Sequence, residues 1–157
     1  MQSELKPQPV SDQLPTPRGG DQLYKAAGEL EGKKAIITGG DSGVGRAIAI
    51  LYAMEGADSL IVYLPQEETD SQEAQRQVEQ DGRKCKLMAI NIASREKCQQ
   101  VIDTALSEIG RVNILVNNAA FQMMQNSIAD LSYEQWHKTF NTTILPVFTS
   151  QRWLCLT

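Results

Sequence analysis

Four short apolar runs, Ala35–Thr38, Leu60–Tyr63, Leu87–Ile90 and Ile114–Val116, begin 25 to 27 residues apart. That interval fits a strand plus the helix that carries the chain back for a parallel neighbour, whereas a hairpin needs far less. Each run is apolar throughout instead of alternating, the pattern of strands buried on both faces. The intervening segments have helical periodicity. Val44, Ala47, Ile48, Leu51 and Tyr52 fall on one helical stripe, and Cys98, Val101, Ile102, Ala105, Leu106 and Ile109 on another. Gly110 then supplies a C-terminal stop. The stretch from about Glu67 to Gln80 is mostly polar and is expected to lie exposed at a sheet edge. Alternation of this kind specifies an α/β fold with a doubly wound parallel sheet.

The first run ends in Thr38-Gly39-Gly40-Asp41-Ser42-Gly43-Val44-Gly45 and passes directly into a helical stretch. A strand, a glycine turn and a helix N-terminus in this order form a place for a dinucleotide pyrophosphate, because backbone N–H groups and the helix dipole both face it. Gly39 suits the tight turn, Gly43 allows backbone to approach the phosphates, and Gly45 allows close helix packing. Right-handed crossovers around such a turn give a Rossmann-type sheet.

Residues 1–31 differ from the rest. Pro7, Pro9, Pro15, Pro17, Gly19 and Gly20 accompany few apolar side chains, so this stretch is expected to be an extended or disordered, flexible arm. It has no apolar core of a secretory signal, and no run approaches the ~20 apolar residues of a membrane span. A net charge of −4 with no basic cluster argues against nucleic acid or an anionic membrane as partner. Cys85, Cys98 and Cys155 are odd in number and widely spaced, which suits reduced thiols in a cytoplasmic protein. His137, the one histidine, has no ligand pattern around it, so no metal site is expected. Met123 and Met124 are expected to pack within their loop.

Thr38 to Gly45 resembles the Thr-Gly-x-x-x-Gly-x-Gly cofactor motif of the short-chain dehydrogenase/reductase family. Asn117-Asn118-Ala119-Ala120, after the fourth run, is similar to that family's Asn-Asn-Ala-Gly motif. The Gly-Gly-Asp-Ser-Gly turn and Tyr63-Leu64-Pro65 resemble the glucose/ribitol dehydrogenase-like branch. The resemblance covers about Leu30 to Phe148 and implies a dinucleotide-binding domain over 32–148, with strands one to four of the family's seven. Residues 149–157 are expected to form a divergent tail. The resemblance implies cofactor contacts from Gly39, Asp41, Ser42, Gly43, Val44, Gly45 and Arg46 at the turn, with Ser42 and Arg46 near the adenosine phosphates. It adds Tyr63 after strand two, Asn91 and Ile92 after strand three, and Asn117 and Ala119 after strand four. Tyr63 stands where NAD-preferring relatives carry Asp, with no carboxylate until Glu67, so NADP is the expected cofactor and NAD the alternative.

The same resemblance implies hydride transfer between an alcohol or polyol and a ketone or aldehyde, by a Ser and a Tyr-x-x-x-Lys pair. This sequence holds no such pair: Tyr133 is followed four residues on by His137. Thr143 occupies the family's helix-kinking Asn position, and Asn141, two residues earlier, would point about 200° away. No catalytic residue is assigned. The chain is read as truncated, retaining the cofactor-binding part and inactive alone, with homo-oligomers reserved for a full-length relative. A non-catalytic dinucleotide-binding or regulatory module is the alternative. Ending the family's 3-2-1-4-5-6-7 sheet at strand four would leave Val112–Val116 as an unpaired apolar edge.

Overall fold

The computed structural model describes residues 10 and 12–155; Pro7 and Pro9 of the arm, and Leu156 and Thr157 of the tail, lie outside them. The element order is β1 (Gln13–Pro15), β2 (Asp21–Leu23), β3 (Lys34–Thr38), α1 (Gly43–Met54), β4 (Asp58–Tyr63), α2 (Glu68–Gln80), β5 (Cys85–Ala89), α3 (Arg95–Glu108), β6 (Ile114–Asn117), α4 (Tyr133–Thr143) and α5 (Leu145–Leu154). The four expected strands form one parallel sheet in the order β5-β4-β3-β6. In strand-sequence terms this is 3-2-1-4, the partial doubly wound arrangement the spacing implied.

Alternation along the strands explains the two layers. Ala35, Ile37, Ile61, Tyr63 and Cys85 point to one face, against Ala49 and Ala53 of α1 and Ala74 and Val78 of α2. Ile36, Leu60 and Val62 point to the other, against Cys98, Val101, Ile102 and Ala105 of α3. Both faces are covered, so runs without polar alternation are the stable choice.

Two expectations need correction. The buried face of α1 is Gly45, Arg46, Ala49 and Ala53, not the stripe beginning at Val44, which is 69% exposed. Small residues face the sheet because the helix lies close to it, and Ile48 and Tyr52 pack at the margin. Second, α2 is not an exposed edge helix: Asp70, Ser71, Ala74 and Val78 are buried against α1 and the sheet. Its polar composition hid a narrow stripe of small residues. Helix α5 spans Leu145–Leu154. Thr149 and Ser150 are buried, while Trp153 and Leu154 pack on the α3 layer and Arg95 stacks 5.6 Å from the Trp153 ring centre.

β1 and β2 pair as an exposed antiparallel hairpin. Beyond it, the Glu55 carboxylate at the end of α1 accepts hydrogen bonds from the Tyr24 hydroxyl and the Ala27 and Glu29 N–H groups. One buried carboxylate thus organises a segment too polar to dock by hydrophobic burial. Met123 and Met124 are exposed rather than packed. Among the described residues, no helix is long and apolar enough to cross a membrane.

Candidate functional site

The carboxyl ends of β3, β4, β5 and β6 open into one cleft. Its lining comes from the glycine turn (Gly39, Asp41, Ser42), the end of β4 and the following turn (Tyr63, Leu64, Glu67), and the segment after β5 (Ile90, Asn91, Ile92). Asn118, Ala119, Ala120 and Thr142 close the remaining side. A crevice at the carboxyl ends, where the strand order reverses about β3, is where open α/β sheets bind ligands.

The floor is built by mutual locking of two loops. Gly39 turns the chain at φ +64°, and its N–H donates to the Val62 carbonyl at 2.7 Å. The Asn118 amide donates to the carbonyls of Thr38 (3.1 Å) and Gly39 (2.9 Å). In return, the Thr38 hydroxyl oxygen accepts from the N–H groups of Asn118 and Ala119, and the hydroxyl donates to the Val116 carbonyl. A Cβ on Gly45 would lie 2.0 Å from the Gly39 carbonyl oxygen and 2.6 Å from the Asn118 Nδ2. Only glycine permits this approach of α1 to the turn.

Ser42 is the N-cap of α1, yet its side chain makes no capping hydrogen bond. Ser42 brings the start of α1 to the cleft wall, beside Asp41.

Not every expected residue joins the cleft. Arg46 is buried, with Nε donating to the Asp41 carbonyl at 2.7 Å and Nη2 to the Asp70 carbonyl and carboxylate at 2.9 and 3.3 Å. It ties the glycine turn to α2 instead of lining the cleft. Gly43, Val44, Gly45 and Asn117 also lie outside the lining; Gly45 acts from behind it and Asn117 ends β6. Gly39, Asp41, Ser42, Tyr63, Asn91, Ile92 and Ala119 are brought together.

Sequence reasoning placed Asn118 in the Asn-Asn-Ala-Ala motif without a site role of its own, and gave none to Glu67. The 3-10 turn Pro65–Glu67 swings Glu67 back, so that its Oε2 accepts from the Leu64 N–H at 3.3 Å. Burial, then the charges of Asp41 and Asp70, push its carboxyl above the usual range. Proline two residues past the end of an apolar strand, with Glu two positions later, was the available signal. Tyr63 donates its hydroxyl to Glu68, and burial followed by that bond raises its phenol.

Downstream, the expected capping box holds: Ser132 Oγ accepts from the Gln135 N–H and Gln135 Oε1 from the Ser132 N–H. Thr143 ends α4 and accepts from the Phe121 N–H at 3.2 Å, while Asn141 is exposed.

The family described as short chain dehydrogenase matches residues 33–155, extending seven residues beyond the boundary expected at 148. General stress protein 39 of Bacillus subtilis (strain 168) is 43% identical over 148 residues, covering 94% of this chain and 49% of that protein. Glucose and ribitol dehydrogenase of Daucus carota is 31% identical over 152 residues, covering 92% and 52% respectively. A solved short chain dehydrogenase from Burkholderia cenocepacia J2315, in complex with NADP, superposes with TM-score 0.76 at 30% identity, over 82% of this chain and 51% of that one. The chain thus spans about half the length of the curated relatives it matches. With the matched family, the strand order and the glycine turn in agreement, this chain belongs to the short-chain dehydrogenase/reductase family.

Proposed function

We propose that this chain is the cofactor-binding portion of an NAD(P)-dependent short-chain oxidoreductase. The whole protein would move hydride between an alcohol or polyol and the corresponding ketone or aldehyde, in the reduced setting of the cytoplasm. The observation that carries the reading is the cleft floor, where Asn118 and Thr38 lock the glycine turn at the carboxyl end of β3.

In this reading the turn and the start of α1 hold the pyrophosphate, while Tyr63 and Glu67 flank the adenosine ribose. Asn91 and Ile92 meet the adenine, an amide able to bond its amino group and an aliphatic side chain able to pack on the ring. Ala119 lies toward the second ribose. The nicotinamide supplies hydride chemistry; the residues present supply binding and orientation. No tyrosine in the sequence is followed at the fourth position by lysine, so the acid/base pair that would protonate the substrate oxygen is not among these 157 residues. The chain alone binds dinucleotide and does not turn over.

Calorimetric titration with NAD and NADP tests the first statement, and a spectrophotometric screen of polyols and aldehydes tests the second. Saturable binding of a dinucleotide with no turnover supports the proposal. Absence of binding sinks it, and cofactor-dependent turnover refutes the claim of inactivity.

A further inference from the structure

We infer that Thr142 holds the second ribose of a bound dinucleotide, its hydroxyl and its backbone carbonyl pairing with the ribose 2′,3′-diol. The inference deepens the dinucleotide reading of the cleft and rests on it.

Three threonines share the last two turns of α4, and two of them are occupied. Thr139 returns its hydroxyl to the Gln135 carbonyl at 3.0 Å, the common fate of a helical threonine. The Thr143 hydroxyl oxygen accepts from the Phe121 N–H at 3.2 Å and so fastens the loop after β6. Thr142 is the one residue of α4 in the cleft lining. It is half-buried, and among the described residues its hydroxyl has no hydrogen-bond partner, yet it is not sealed from solvent. A hydroxyl left unspent at a cleft wall is available to whatever enters.

The break between the last two helices adds a second polar group on the same residue. Helix α4 ends at Thr143 and α5 begins at Leu145, with the buried Pro146 in its first turn. Proline has no N–H to give, and the carbonyl four residues earlier, which an unbroken helix would satisfy from position 146, is that of Thr142. One residue thus carries a hydroxyl that donates or accepts and a carbonyl that accepts. A ribose cis-diol is the matching set, since each of its hydroxyls can donate and accept.

Place along the cleft decides which ribose. Across the sheet order β5-β4-β3-β6, Asn91 and Ile92 follow β5, Tyr63 and Glu67 follow β4, and the glycine turn follows β3. In the dinucleotide reading these take adenine, the adenosine ribose and the pyrophosphate in turn. Thr142 stands with Ala119 and Ala120 beyond the turn, on the β6 side, where the ligand has passed its pyrophosphate. The alanines offer only methyl groups, and the Asn118 amide is committed to the carbonyls of Thr38 and Gly39. Thr142 is therefore the side chain on that wall with hydrogen-bonding capacity to spare.

The test is calorimetric titration of the 157-residue chain and its variants with NAD, ADP-ribose and ADP; ADP-ribose carries the second ribose and ADP does not. The wild type is expected to bind ADP-ribose about three- to tenfold more tightly than ADP, the increment of one or two hydrogen bonds. Thr142→Val keeps the branched shape without the hydroxyl. It should lose most of that ratio and weaken NAD by the same factor, with ADP affinity unchanged as the sign of an intact fold. Thr142→Ser should keep the ratio. Pro146→Ala returns an N–H to the Thr142 carbonyl and should lower the ratio about threefold; an unchanged ratio there overturns the part given to the carbonyl. A ratio unchanged in Thr142→Val, or lost equally in Thr142→Ser, overturns the role of the hydroxyl while leaving dinucleotide binding intact. An equal loss of ADP and ADP-ribose affinity in Thr142→Val overturns the placement, because the hydroxyl would then meet the adenosine half. Failure of the wild type to bind NAD or ADP-ribose overturns both readings.

Discussion

Replacing Gly45 by alanine tests how the cleft floor is built. The added Cβ would lie 2.0 Å from the Gly39 carbonyl oxygen, 2.8 Å from its carbonyl carbon and 2.6 Å from Asn118 Nδ2. Ordinary contact needs about 3.4 Å or more, so α1 and the turn must separate by over about 1 Å. Such overpacking costs about 1–3 kcal/mol. The Asn118 amide cannot follow both parts, so its bonds to Thr38 and Gly39 weaken, adding about 1 kcal/mol each. The expected loss is about 3–5 kcal/mol, a large part of the stability of a domain this size, and about a 10 °C fall in melting temperature. Dinucleotide affinity should fall with it. Gly43→Ala is the control: it has open space for a Cβ but sits at φ +53°, which costs about 1–2 kcal/mol. Its melting temperature should fall by only a few degrees, while affinity drops because the methyl stands where phosphate approaches. Circular-dichroism melts and NAD calorimetry on both variants decide the matter. A Gly45→Ala protein that melts within about 2 °C of wild type and binds NAD equally well would refute the locking argument.

Arg46→Met leaves the buried Asp70 carboxylate unpaired and should cost about 3–5 kcal/mol in urea unfolding, with much of it recovered by a second change, Asp70→Leu; an Arg46→Met protein of parental stability would show that the pair is dispensable. A thiol count at pH 8 should find one rapidly reacting cysteine, Cys155, and three after unfolding. Burial pushes the Cys85 thiol up to about 11 and raises that of Cys98 as well. The Glu55 carboxyl, held below its ordinary 4.5 first by the Tyr24 hydroxyl and then by the Glu29 and Ala27 N–H groups, should make arm docking acid-labile. A lowered folded value gives stabilisation that is complete above pH 4.5 and is lost as pH falls through the folded value. Proteolysis within residues 12–29, by a protease active in acid, should therefore rise as the pH is taken below the ordinary carboxyl range, and Glu55→Ala should be cleaved already at neutral pH.

The sheet was legible because its signal is redundant. Four runs, each apolar on both faces, leave no alternative to parallel strands, and their spacing leaves no room for hairpins. Helix α3 was equally plain, since its buried Cys98, Val101, Ile102 and Ala105 follow the helical period. Where burial falls on small or polar residues, periodicity fails. Helix α1 turns Ala49 and Ala53 inward because Gly45 sets its distance from the turn, and α2 buries Asp70 and Ser71 because Arg46 pairs there. Composition alone carries neither fact. At the site, the glycine turn was readable from its spacing, whereas Asn118 and Glu67 were not. Their importance lies in a side chain folding back on backbone groups, Asn118 across about eighty residues of sequence and Glu67 within one turn.

The two sides of the cleft depend on different parts of the fold, and this shapes how the site fails. On the β6 side, the turn is held by Asn118 and Thr38, so its shape depends on pairing between β3 and β6. β6 has β3 as its one strand partner among the described residues, and an edge strand frays before a central one. On the β4 side, the Asp41 carbonyl is held by Arg46, which reaches through α1 to α2. That linkage lies inside a packed layer, with two helices over three strands. Local opening should therefore begin at Asn118 and Ala119, beside the proposed second ribose, while the adenosine side stays formed. Hydrogen exchange would show the order directly: the Asn118 and Ala119 amides should exchange well before those of β4. Equal protection on both sides would mean that the turn behaves as one rigid unit, with the Thr38–Asn118 lock as secure as the buried ion pair.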